Sequence, residues 1–78
     1  MGRAGKALKQ VLENYKISQN RLAVTMGVDR SNVSRWVNEE RDPAGEAIFD
    51  IKEALRQINT EAAEAFISLY LGNVEDLK

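Results

Sequence analysis

Apolar side chains recur along this chain at intervals of three and four residues, the spacing that gathers them on one face of an α-helix. Leu8, Val11, Leu12 and Tyr15 form the first stripe and predict a helix over residues 5–15. Ile17 leads into Ser18, a good N-cap residue, and a second helix carries Leu22, Ala23 and Met26. Gly27 stops it, because glycine enters the left-handed region without steric cost. Val28 and then Asp29, the next N-cap, introduce a third helix with Val33 and Trp36. Asn38 is the expected left-handed exit, and Asp42-Pro43 enforces a break. A fourth helix is predicted over residues 44–58, with Ile48, Ile51, Leu55 and Ile58 on one stripe. Thr60 is expected to cap a fifth, carrying Ala62, Phe66, Leu69 and Tyr70 and ending at Gly72. No run alternates apolar and polar residues, and no hairpin turn signal occurs. The pattern describes an all-α domain of five helices. It reads as one unit over residues 1–78, with a basic arm at 1–4 and a frayed tail at 73–78.

Composition narrows the chemistry. The chain has 78 residues, 44% hydrophobic and 29% charged, room for one small domain. It contains no cysteine and no histidine. Disulfides and thiolate metal sites are therefore excluded, as is every catalytic arrangement built on a histidine base. No apolar run approaches the roughly 20 residues of a membrane span. The expectations are no metal, no cofactor, no catalysis and a cytoplasmic location. A domain of this size buries only about 60% of its unfolded surface, so self-association is an inexpensive source of further burial.

The net charge of −1 hides an asymmetry. Residues 1–41 hold eight cationic side chains against four anionic ones, whereas residues 42–78 hold three against eight. A basic half joined to an acidic half hints at a side that faces a polyanion.

The second and third helices sharpen that hint. Gln19 to Trp36 is an 18-residue window in which two short helices meet at Gly27. Ala23 is small where the third helix must cross close to the second. Leu22, Met26, Val28, Val33 and Trp36 supply the shared core beneath a steep crossing, the geometry of a helix-turn-helix over residues 18–38. The stretch SQNRLAVTMGVDRSNVSRWVNEERDP resembles the helix-turn-helix of the phage-repressor-like (Cro/repressor, or XRE) family of transcriptional regulators. The likeness is clearest from Leu8 to about Leu55. It implies a four- or five-helix domain that binds double-stranded DNA, usually as a homodimer on a palindromic operator.

With Val33 and Trp36 turned inward, Arg30, Ser31, Asn32, Ser34, Arg35 and Asn38 face away from the core. The major groove admits one α-helix and displays a distinct donor and acceptor pattern for each base pair. Arg30 and Arg35 suit guanine O6 and N7, Asn32 suits adenine, and Ser31 and Ser34 suit several bases. The resemblance implies that Gln19 clamps a phosphate and braces the reading helix. Lys16, Arg21, Asn38 and Arg41 flank that surface as phosphate-positioning candidates. Arg3, Lys6 and Lys9 are the cations of the arm. One departure stands out: where the family commonly has Glu, any residue, then Gly after this helix, the chain has Val37, Asn38 and Glu39. Glu39 and Glu40 also place negative charge beside the expected DNA surface, which weakens non-specific binding.

The fifth helix, over residues 60–71, is similar to the one phage repressors use to dimerise, with Phe66, Leu69 and Tyr70 as the expected seam. A phage or mobile-element repressor, a restriction-modification controller and an antitoxin all fit these features. The alternative from a different class is a helical protein-interaction module, antitoxin-like or adaptor, whose helix-turn-helix does not bind DNA. The acidic second half motivates it.

Overall fold

A computed structural model describes residues 3–72, so the expected tail at 73–78 and the first two residues of the expected arm lie outside it. Five helices follow in order: α1 (Arg3–Asn14), α2 (Gln19–Met26), α3 (Arg30–Val37), α4 (Gly45–Ile58) and α5 (Thr60–Tyr70). There is no strand among the described residues. α5 lies against both α1 and α4, α3 against α1 and α2, and α2 also against α4. One core joins all five, with Leu8, Val11, Leu22, Val33, Ile51, Leu55 and Phe66 fully buried. Each such side chain contributes about 1.5–3 kcal/mol relative to exposure.

The helix starts follow local chemistry. Ser18 Oγ accepts the Arg21 N–H at 2.9 Å and Asp29 Oδ1 accepts the Ser31 N–H at 3.3 Å, capping α2 and α3 as expected. Ala44 precedes α4 without a side-chain cap, and Glu46 supplies a favourable charge in the first turn. The fifth helix corrects the expectation at Thr60. Asn59 is the N-cap, its Oδ1 accepting from Glu61 N–H at 2.9 Å and Ala62 N–H at 3.4 Å. Asn59 also donates its own N–H to Leu55 O at 2.6 Å, so one residue closes α4 and opens α5.

The helix ends share one device. After α1, Ile17 N–H reaches Leu12 O and Lys16 N–H reaches Glu13 O; after α2, Val28 reaches Ala23 and Gly27 reaches Val24. After α3, Glu40 reaches Arg35 and Glu39 reaches Trp36. Each is a Schellman closure, which needs a left-handed residue just past the C-cap. Those residues are Lys16 (φ 57°), Gly27 (φ 77°) and Glu39 (φ 61°). Asn38, the expected left-handed exit, has φ −84° and is the C-cap, one residue too early for that role.

The basic arm is also corrected. Arg3 and Ala4 are already helical, and Ala4 is buried at the head of the stripe that continues through Ala7, Leu8 and Val11. Burial of that stripe outweighs the penalty of cations near a helix N-terminus, about 0.3–1 kcal/mol each. Lys6 and Lys9 are therefore exposed positions on a packed helix.

Candidate nucleic-acid interface

The turn between α2 and α3 is set by three features in sequence. Ala23 is buried to 1% exposure, Gly27 takes its positive φ, and Asp29 caps the following helix. A β-carbon on Gly27 would meet nothing within 4 Å, so the turn needs glycine for its backbone and not for space. Val33, Trp36 and Val37 then anchor the inner face of α3. Val37 joins them because it falls four residues, about one turn, after Val33; the apolar residue at this departure from the family pattern is core.

The outer face of α3 follows from that anchoring. At about 100° per residue, Arg30, Ser31, Ser34, Arg35 and Asn38 share a side. Asn38 Nδ2 donates to Ser34 Oγ at 3.3 Å, which ties the end of the face to its middle. Arg30, Ser31, Ser34 and Arg35 together line a shallow hollow of about 360 Å³, bounded by Asp29 at one end and Glu40 at the other. Asn32 is half-buried on the flank of the helix and does not line that hollow. Sequence reasoning placed the arginines, the serines and Glu40 at this surface, with Glu39 beside it, but read Asp29 only as a cap. The signal for Asp29 was available, since an N-cap stands one residue before Arg30 at the head of this face.

Gln19 is half-buried at the first turn of α2, where it lines a second hollow with Lys9, Glu13, Val37 and Asn38. The structure thus brings Gln19 to the C-terminal end of the outer face of α3. Lys16, Arg21 and Arg41 are exposed and line neither hollow. Among the described residues Arg30 and Arg35 have no ion-pair partner, whereas Lys52 and Arg56 of α4 both pair with Glu53, at 3.4 and 3.6 Å. The arginines on α3 are therefore uncommitted donors, each with a planar guanidinium fork.

A family model for the Cro/C1-type helix-turn-helix matches residues 8–61. The chain belongs to this XRE helix-turn-helix family. The match covers α2, the turn and α3 whole, with most of α1 and all of α4. No curated protein and no solved structure matches the chain. Members of the helix-turn-helix family are DNA-binding transcription regulators and not typically enzymes. No group of histidine, cysteine, aspartate or glutamate suited to a metal ion occurs among the described residues, and no helix among them is long and apolar enough to cross a membrane.

The expected dimer residues separate. Phe66 is fully buried in the core of this chain and stacks on Tyr70, ring centroids 6.2 Å apart. It is withdrawn from the expected seam, because α5 is gripped by α1 on one side and α4 on the other. Leu69 and Tyr70 are half-buried, and Leu71 is 57% exposed. Leu71 also lines a groove of about 580 Å³ between α4 and α5, together with Ile67, Ala63 and the stems of Lys52 and Arg56.

Proposed function

We propose that this protein is a sequence-specific regulator that lays α3 in the DNA major groove and binds as a homodimer to two half-sites of a palindromic operator. In this reading the half-sites lie about one helical turn apart. The observation that carries it is the outer face of α3, where two uncommitted arginines flank two serines on a helix anchored from beneath by Val33 and Trp36. Arg30 and Arg35 read guanine edges, Ser31 and Ser34 take adjoining groups, and Asn32 reaches a base only from the flank. Gln19, Lys16, Arg21, Asn38 and Arg41 hold phosphates and fix the register. Leu69 and Tyr70 of α5 form the contact between copies. Such a protein works in the cytoplasm, on the nucleoid, and needs no cofactor.

Selection of bound duplexes from a random library at two salt concentrations tests this reading. An enriched palindrome with steep salt dependence is the expected result. Failure to enrich any sequence at low salt overturns it.

A second reading, a protein-docking module, is favoured by the exposed apolar side chains away from α3. Phe49 of α4 is 59% exposed and Leu71, just past the end of α5, is 57% exposed and lines the 580 Å³ groove. Under this reading a partner binds equally well after Arg30 and Arg35 are replaced by alanine.

A further inference from the structure

We propose that Glu40 is a specificity-determining residue of the α3 surface, a fixed carboxylate that opposes binding to non-cognate DNA more than binding to the operator. The proposal rests on the DNA-binding reading above.

The two adjacent glutamates are not equivalent. Glu39 holds the left-handed position of the Schellman closure, and its Cγ lies 3.4 Å from where a β-carbon on Gly5 would stand. Its hollow is walled by α1 residues, among them Lys6, Lys9 and Glu13. Glu40 goes the other way. Its N–H bonds Arg35 O at 2.9 Å, and its exposed side chain edges the hollow shared by Arg30, Ser31, Ser34 and Arg35.

Among the described residues no direct contact rewards a charge at Glu40. The C-terminal end of a helix carries a partial negative charge and disfavours an anion there. Among the described residues the Glu40 side chain has neither a hydrogen bond nor an ion pair. A position that breaks a local rule without a compensating contact points to a role outside the fold.

The physical effect is selective. Non-specific affinity comes from cations neutralising phosphates, so a carboxylate beside Arg35 subtracts from it directly. On the operator Arg30 and Arg35 turn to base edges instead of phosphates. The carboxylate beside Arg35 therefore no longer offsets a phosphate contact there and acts only on the phosphates held by the positioning residues. Glu40 thus widens the ratio between the two modes.

Fluorescence anisotropy with the selected operator and with a scrambled duplex, at salt from about 50 to 200 mM, decides the matter. Glu40→Gln keeps the side-chain shape and the backbone closure. It is expected to tighten binding to the scrambled duplex by about 3–10-fold and to the operator by less than about 2-fold, with a steeper salt slope on the scrambled duplex. Glu39→Gln is expected to leave both affinities within about 2-fold. Equal gains on both duplexes, equal effects of the two variants, or unchanged binding in Glu40→Gln each overturn the proposal. Absence of binding by the unaltered protein to either duplex overturns the DNA-binding reading itself, and this proposal with it.

Discussion

A β-carbon built on Gly5 of α1 would overlap the carbonyl oxygen of Trp36 in α3, so the two helices touch backbone to backbone at this point. The contact fixes the C-terminal end of α3 against α1. Gly5→Ala gains helix propensity of up to about 1 kcal/mol but forces the two backbones apart, and overpacking of this kind costs about 1–3 kcal/mol. The expected result is a net loss of stability in urea unfolding. Gly45→Ala, where a β-carbon would meet nothing within 4 Å, is the control and is expected to hold or raise stability.

The left-handed helix exits give a second prediction. Lys16 holds φ 57° at the end of α1, a conformation that costs an ordinary residue about 1–2 kcal/mol. Glycine avoids that cost but loses more backbone entropy, about 0.5–1 kcal/mol. Lys16→Gly is therefore expected to stabilise the fold by about 0.5–1 kcal/mol in the same assay, while weakening DNA binding through the lost cation. Gly27→Ala, at φ 77° with open space around it, is expected to lose a similar amount. A fall in stability for Lys16→Gly contradicts the assigned exit.

What the sequence made legible was whatever depends on local spacing. Ser18 and Asp29 were readable as caps, and Leu22, Ala23, Gly27, Val33 and Trp36 as a helix-turn-helix, because a short turn leaves few ways to satisfy apolar periodicity. Positions that depend on two elements at once were not readable. Asn59 and Thr60 are both good caps, and the choice falls on Asn59 only because its backbone also closes α4. Phe66 read as part of a seam with Leu69 and Tyr70 because α5 resembles the helix that phage repressors use to dimerise. Its side chain instead faces the core that α5 shares with its two neighbours, α1 and α4. The left-handed residue after α3 fell on Glu39 because six-to-one closure onto Arg35 counts residues from the helix end, whatever their side chains.

Asn59 supplies a third prediction. Its side chain accepts from two N–H groups at the start of α5 while its backbone donates to α4. Asn59→Ala removes only the first function and is expected to cost about 1 kcal/mol, typical of a lost N-cap. Thr60→Ala is expected to cost less than about 0.5 kcal/mol, the usual limit for a surface change away from a cap. Thermal melts that rank the two variants the other way contradict the cap assignment.

The proposed contact between copies is checked by sedimentation. Leu69→Asp and Tyr70→Asp introduce a charge on the partly exposed side of α5 and are expected to shift the protein toward monomer. Phe66→Asp is not a useful probe, since it buries a charge in the core and unfolds the chain. A folded Leu69→Asp variant that sediments unchanged moves the interface elsewhere on the molecule.

The last prediction separates reading from holding. Arg35 lines the hollow on the α3 surface with no ion-pair partner among the described residues, whereas Arg41 lies beyond the helix exit, exposed and outside the hollow. If Arg35 pairs with a guanine, Arg35→Ala costs about 1–3 kcal/mol on the operator and relaxes the preference at one base position. Arg41→Ala removes a phosphate contact, so it weakens all duplexes alike and lowers the salt slope by about 1. The two variants should therefore differ in kind as well as size. Repeating the duplex selection with each protein measures that difference. Arg35→Ala should return an operator degenerate at one position in each half-site, while Arg41→Ala should return the original sequence at lower affinity. An unchanged operator from Arg35→Ala would move base recognition toward Arg30 and the N-terminal end of α3.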